Sequence, residues 1–156
     1  MMIENNKKQR DFENEARAYF DQHYNCAQST FAPFAEYFGM DEDLAFKIAT
    51  PFGGGMGHAG QVCGAVSGAL MAIGLSKGIT FYDQIRKYAC YDLAVEFQKR
   101  FRQLHGHLSC PNLLGFDIGD NGDLEQVRAL NLFHTLCPNL VGDAAKITAE
   151  LLGIEK

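Results

Sequence analysis

Four of the five cysteines in this chain stand where the sequence predicts the first turn of a helix. They are Cys26, Cys63, Cys110 and Cys137. Asn25, a favoured N-cap residue, precedes the first of them, and Pro111 and Pro138 follow the last two at a position where helices favour proline. A helix N-terminus carries partial positive charge and unpaired N–H groups, and both stabilise a thiolate. Because the thiolate attacks disulfides and binds metals, these four cysteines predict a reactive or metal-binding site.

The spacing of the cysteines excludes two common kinds of cysteine site. The sequence contains no Cys-x-x-Cys, so the thioredoxin motif and the usual zinc-finger spacing are absent. The four positions are too irregularly spaced to form a local loop site, and we expect the fold to bring them together from different helices. Thiolate sets suit zinc or an iron–sulfur cluster, whereas two close thiols suit a reversible disulfide. Cys90 lies inside an apolar helical segment, where a packing role is expected.

A glycine-rich segment, residues 53–57, leads towards Cys63. It is not followed by the Gly-Lys-Ser/Thr of a phosphate-binding loop, so we expect a flexible or tightly turned loop over the cysteine site. Gly55, Gly57 and His58 are the candidates for cofactor contacts in this loop. His58 is either a ligand or proton donor, or simply a solvated loop histidine.

The helix predicted to follow this loop, at about residues 61–76, carries a stripe of small residues at Gly64, Gly68 and Ala72. Glycine costs about 1 kcal/mol relative to alanine inside a helix, so this stripe needs a physical reason. It indicates either the close approach of a cofactor beside Cys63 or tight packing against another helix.

Helical periodicity extends over almost the whole chain, and convincing alternating strand segments are missing. The longest predicted helix spans about residues 81–104. Its predicted core face consists of Ile85, Ala89, Leu93, Phe97, Phe101 and Leu104. We therefore predict an all-α fold: a compact single-domain bundle of about six to seven helices over residues 1–156, with a flexible N-terminus at 1–7.

Composition and charge limit the partners and the compartment. The formal net charge of -5 argues against broad nucleic-acid binding, and no apolar run is long enough for membrane insertion. The polar start lacks the apolar core of a signal peptide, which predicts a cytoplasmic protein. In a reducing compartment, cysteines are more often catalytic, redox-active or metal-binding than structural bridges. The 12 Phe and 6 Tyr residues leave room for a homodimer interface as well as a core.

The motif Cys-Gly-Ala-Val-Ser-Gly at residues 63–68, with one cysteine before it and two after it, resembles the C_GCAxxG_C_C family of redox-active proteins. The resemblance extends from about Tyr24 to Leu152. It makes Cys26, Cys63, Cys110 and Cys137 the family cysteines and leaves Cys90 outside the pattern. It implies a redox role without specifying the reaction.

Two hypotheses follow. In the first, this is a redox protein that exchanges electrons with an unknown partner, either through an iron–sulfur cluster or through dithiol–disulfide cycling. Cys63 is the expected nucleophile of the dithiol form, because a flexible glycine loop could expose it. In the second, the protein is a non-enzymatic helical module with a structural zinc ion, or with no cofactor and merely packed cysteines.

Overall fold

A computed structural model describes residues 9–155, and within this range the regular secondary structure is helical. The first helices are α1 (Phe12–Asp21), α2 (Cys26–Tyr37), α3 (Glu42–Ala49), the short α4 (Gly53–Met56), α5 (Gly64–Lys77) and α6 (Gln84–His105). They are followed by α7 (Cys110–Leu114), α8 (Asn121–Ala129), α9 (Leu132–Thr135) and α10 (Cys137–Leu152). Seven of these helices have eight residues or more, and the predicted all-α bundle is confirmed. The expectation for residues 1–7 lies outside the described residues.

The centre of the bundle is formed by α2, α5 and α10, and α1 covers one side of α2 and α10. Large side chains from several of these helices are fully buried here, including Phe34 of α2, Ile73 of α5 and Val141 of α10. The ring of Phe12 in α1 stacks on that of Phe34 at 4.5 Å between centroids. The first turns of α2, α5 and α10 therefore belong to one continuous core, which fixes the positions of the cysteines on them.

The stripe of small residues in α5 serves close helix packing. A Cβ atom added at Gly68 would lie 2.6 Å from the carbonyl oxygen of Ala27 in α2 and 3.0 Å from the Cβ of Thr30. At Gly64 it would lie 3.0 Å from the backbone nitrogen of Ala27. A Cβ at either position would therefore force the α2 backbone to shift, so the two glycines let this backbone approach α5 closely.

The prediction for the core face of α6 is wrong at Ile85 and Ala89 in its N-terminal half and at Leu104 near its C-terminus. Phe97 and Phe101 are fully buried, as expected, but Ile85 is 85% exposed, Leu104 is 63% exposed and Ala89 is exposed too. For the N-terminal half, the reason is the length of the helix. At 1.5 Å per residue, α6 extends about 33 Å, whereas its neighbour α5 extends only about 21 Å. The first half of α6 consequently projects beyond the helices that could cover it.

No helix within the described residues is both long and apolar enough to cross a membrane. The expectation of no membrane insertion agrees with this finding, whereas the cytoplasmic location stays a prediction.

Candidate functional site

The four predicted cysteines line a single cavity of about 240 Å³ at one end of the bundle. Of the remaining predicted site residues, Gly55, His58 and Gly64 line the same cavity, and Gly57 is not among the lining residues. The cavity wall is otherwise mainly aromatic and aliphatic: Phe20, Tyr24, Leu113, Leu114, Phe133 and Leu140. Within the described chain, no Asp, Glu, Lys or Arg side chain lines it.

A helix cap before Cys26 and a proline after Cys137 mark the helix starts at this end of the bundle. Asn25 is the N-cap of α2: its side chain accepts a hydrogen bond from the backbone N–H of Gln28, and the backbone N–H of Asn25 donates one to the side-chain oxygen of Gln28. This capping box fixes the first turn of α2, which begins with Cys26. Cys137 is the first residue of α10, where Pro138 occupies the position that needs no N–H donor.

A short pair of backbone hydrogen bonds joins the segments that carry Cys63 and Cys110. The Cys63 N–H donates to the carbonyl of Leu108 at 2.8 Å, and the Cys110 N–H donates to the carbonyl of Gln61 at 2.8 Å. These bonds flank an isolated antiparallel bridge between Val62 and Ser109. Two cysteines that are 47 positions apart in the sequence are thus held on adjacent backbones.

The glycine loop is tightly turned, and its backbone forms part of the cavity wall. Gly54 and Gly55 both have positive φ, at 66° and 72°, which glycine adopts without strain. A Cβ at Gly55 would lie 2.8 Å from the Cβ of Cys110, and one at Gly54 would lie 2.1 Å from the Cδ2 atom of His58. The loop therefore needs glycine for its conformation and for its approach to Cys110 and His58.

Cys26 and Cys137 interact directly. A hydrogen bond between the two thiols raises the pKa of Cys26, and burial adds to this effect. The same hydrogen bond lowers the pKa of Cys137, against the opposing effect of burial. Cys26 is thus the proton donor of the pair, and Cys137 is the cavity thiol that ionises most easily.

Cys63 and Cys110 behave differently. Burial raises the pKa of Cys63 to about 11, although the backbone N–H groups of Ala65 and Val66 act in the opposite direction. Burial also raises the pKa of Cys110 to about 12, with the nearby charges adding to it. The expectation that helix N-termini lower the pKa of all four thiols is therefore wrong. The cost of burying a thiolate is the largest effect on the pKa at Cys63 and Cys110, and at Cys26 it adds to the effect of the hydrogen bond with Cys137.

The side chains that could ligate a metal are not arranged around one point. Within residues 9–155, no group of three or more His, Cys, Asp or Glu side chains is placed to hold a single metal ion. The four thiols instead surround a space of about 240 Å³.

Two histidines that were not among the predicted site residues also line the cavity. His23 and His134 are exposed residues on its wall, as is His58. His23 and His134 each lie three residues before a cavity cysteine, His23 in the turn before α2 and His134 in the short helix α9 before α10. This position could have indicated them, because the segment just before a helix start at the site must run along its edge. His105 has another environment: its Nε2 atom lies 3.0 Å from the Asp143 carboxylate.

Cys90, expected to be a packing residue, lies outside the cavity. It is partly buried and packs against the main core from α6. This leaves four cysteines at the cavity and one elsewhere, so Cys90 is a matched control for substitutions of the other four.

The fold and the site define a small all-α protein with four cysteines around one cavity. The chain belongs to the C_GCAxxG_C_C family, whose description is "Putative redox-active protein (C_GCAxxG_C_C)"; the match covers residues 24–151. The resemblance seen in the sequence is confirmed. A protein of Archaeoglobus fulgidus, described as an uncharacterized protein, is 28% identical over 141 residues, which cover 85% of this chain and 87% of that protein. No solved structure gives a significant match.

Proposed function

We propose that this protein is an electron-transfer protein whose redox centre is the four-cysteine cavity. The observation that carries the proposal is the convergence of Cys26, Cys63, Cys110 and Cys137 on one cavity from separate parts of the chain. Thiols that serve only as small apolar core residues have no need to meet at one place. Membership in a family described as redox-active supports the same class of function.

The Cys26–Cys137 contact favours thiol–disulfide exchange as the chemistry of this centre. In such an exchange, the Cys137 thiolate attacks a disulfide of the redox partner, a mixed disulfide forms, and one partner thiolate leaves. Cys26 then loses its proton and attacks the Cys137 sulfur, which forms the Cys26–Cys137 disulfide and releases the second partner thiolate. Two electrons pass to the partner. Cys137 replaces Cys63 as the proposed nucleophile because its pKa is lowered, whereas that of Cys63 is raised.

The presence of two further thiols in the cavity favours a second candidate, an iron–sulfur cluster. Iron–sulfur clusters are typically held by four cysteine thiolates, and Cys26, Cys63, Cys110 and Cys137 would supply them. A cluster contains several iron and sulfide ions, so its ligands surround a volume rather than one point, as these four thiols do. The cluster would supply one-electron transfer. The protein would supply the thiolates, an apolar wall and the N–H groups at the starts of α2, α5 and α10.

The structural-zinc alternative has less support, because the thiols do not surround a single ion site. The alternative of merely packed cysteines does not account for a cavity that three exposed histidines also line. Its prediction is distinct: a redox-inactive protein whose thiols remain free after mild oxidation.

The test uses the full chain purified without oxygen. We would record its visible absorption spectrum, measure iron and sulfide, and then count free thiols after mild oxidation with a small disulfide. Visible charge-transfer bands with bound iron support the cluster. A colourless, iron-free protein that loses two thiols on oxidation, with Cys26 joined to Cys137 in the peptide map, supports the exchange mechanism. A colourless protein in which all five thiols remain free would overturn the proposed function.

The Cys90→Ser variant is the control in each measurement, because Cys90 lies outside the cavity. It should retain either the cluster or the oxidisable pair. The partner itself is expected to present a disulfide or a redox cofactor to the cavity edge near His23, His58 and His134. A cytoplasmic location stays a prediction.

A further inference from the structure

The projecting half of α6 and the segment just before it carry a large apolar surface that the monomer leaves uncovered. We call it the α6 face. Its residues, with their exposed fractions, are Phe81 61%, Tyr82 84%, Ile85 85%, Tyr88 54%, Tyr91 51% and Val95 64%. Contiguous apolar patches of several hundred Å² on soluble proteins mark interaction sites.

The size of the α6 face is close to what a stable dimer requires. If a buried aromatic side chain contributes about 200 Å², the exposed parts of its four aromatic residues amount to roughly 500 Å². Ile85 and Val95 add further apolar area. A standard protein–protein interface buries about 800 Å² per partner, so this face supplies most of one side.

The residues along the exposed side of α6 follow the spacing of a helix–helix seam. Ile85, Tyr88, Asp92 and Val95 are separated by three, four and three positions, which is the heptad spacing of a two-helix interface. We propose that the α6 face binds the same face of a second copy of this chain, with the two α6 helices antiparallel and the two-fold axis near Cys90. In that register, Ile85 packs against Val95 of the second copy, and Tyr88 lies opposite Asp92 of the second copy.

The polar groups of the seam are self-complementary in this arrangement. Asp92 is exposed, and among the described residues it has no hydrogen bond or ion pair. The ring of Tyr88 packs against Tyr91 at 5.7 Å, and its hydroxyl has no hydrogen-bond partner within the same part of the chain. In the antiparallel pair, each Tyr88 hydroxyl donates to the Asp92 carboxylate of the other copy. A two-fold axis makes this contact twice and gives two apolar Ile85–Val95 layers.

The first test measures mass by sedimentation equilibrium of the full chain under reducing conditions, so that no intermolecular disulfide contributes. The wild type should have twice the 17.3 kDa chain mass. Ile85→Glu should raise the dimer dissociation constant by at least about tenfold, because it places a carboxylate in the apolar layer. Leu104→Glu is the matched control: it lies on the same helix with 63% exposure but faces away from the seam, and it should remain dimeric.

The second test examines the antiparallel register by introducing, in two separate variants, a negative and a positive charge at position 88. Tyr88→Glu places a carboxylate opposite Asp92 and should dissociate the dimer, whereas Tyr88→Lys places an ammonium group there and should retain it. Tyr88 is more than half exposed, so both variants should fold, which circular dichroism checks. Equal effects of the two variants would overturn the register. A wild type that is monomeric at roughly 100 µM, or that is recruited to lipid vesicles as a monomer, would overturn the proposal.

Discussion

Proteins usually bury apolar side chains and expose reactive ones. The cysteine cavity and the projecting half of α6 depart from this pattern in opposite ways. At the cavity, the bundle buries thiols, a side-chain type that reacts when it is ionised. Cys63 is 3% exposed and the pKa values of Cys63 and Cys110 are raised. On α6, large apolar side chains such as Ile85 remain in solvent. The exposed apolar side chains on α6 cost stability in an isolated monomer, whereas neutral thiols are buried like small apolar groups without such a cost. The comparison therefore indicates that the α6 face, more than the cavity, requires a partner to cover it.

Phe97→Ala and Leu104→Ala should show the largest difference between two variants in the free energy of unfolding, although both residues belong to the core face predicted from sequence. Phe97 is fully buried, so its loss should lower the free energy of unfolding by about 3–5 kcal/mol. Leu104 is 63% exposed, so its loss should change stability by less than about 0.5 kcal/mol. Urea unfolding of both variants measures the difference. Similar losses would mean that Leu104 is buried in the folded protein.

Gly68→Ala and Gly74→Ala should have opposite signs although both lie in α5. At Gly68 a Cβ meets the α2 backbone at 2.6 Å, so the substitution should destabilise the protein by about 1–3 kcal/mol. At Gly74 nothing lies within 4 Å, so alanine should stabilise the helix by up to about 1 kcal/mol. Thermal unfolding of the two variants tests the packing that places Cys26 beside Cys63. A neutral Gly68→Ala variant would contradict that packing.

The buried thiols should make the protein less stable in alkali. Cys63 and Cys110 have pKa values raised from 9.0 to about 11 and 12, so the folded state holds protons that the unfolded state releases. Their contribution to stability is fully present below pH 9 and is lost as the pH rises through 11 to 12. The free energy of unfolding should therefore fall between pH 9 and 11, and less steeply in Cys63→Ala than in the wild type. An identical slope in the variant would contradict burial as the cause.

The smallest expected effect concerns the pair of hydrogen-bonded thiols. Cys26→Ala removes the donor that lowers the pKa of Cys137, so alkylation of Cys137 at neutral pH should become slower. Cys26→Ser keeps a hydroxyl donor at the same place and should retain more of the wild-type rate. Site-resolved mass spectrometry after timed exposure to iodoacetamide measures both rates. Faster alkylation in Cys26→Ala than in Cys26→Ser would contradict the assigned hydrogen bond.

The parts of the site that local chemistry determines could be predicted from sequence. Asn25 caps α2, and Pro111 and Pro138 follow the first residues of α7 and α10, so these three residues place Cys26, Cys110 and Cys137 at helix starts. The glycine loop and the all-α fold follow from similarly local signals. Each depends on neighbours within a few positions in the chain.

The remaining features depend on the whole bundle. The pKa of Cys63 depends on how deeply α5 is buried, which no local pattern contains. Ile85 has the periodicity of a core residue, but the neighbouring helices end before they reach it. His134 joins the cavity because α9 turns beside α10. The pairing of Cys26 with Cys137 likewise requires the packing of helices that are far apart in sequence.

The central claim is that the four cavity cysteines form one redox centre, and an anaerobic reductive titration of the oxidised full chain tests it most directly. The account predicts that the wild type and Cys90→Ser take up the same number of electrons. It also predicts that serine at Cys26 or Cys137 abolishes or reduces this uptake. No electron uptake by the wild type, or uptake that Cys90→Ser abolishes while the cavity variants retain it, would contradict the account.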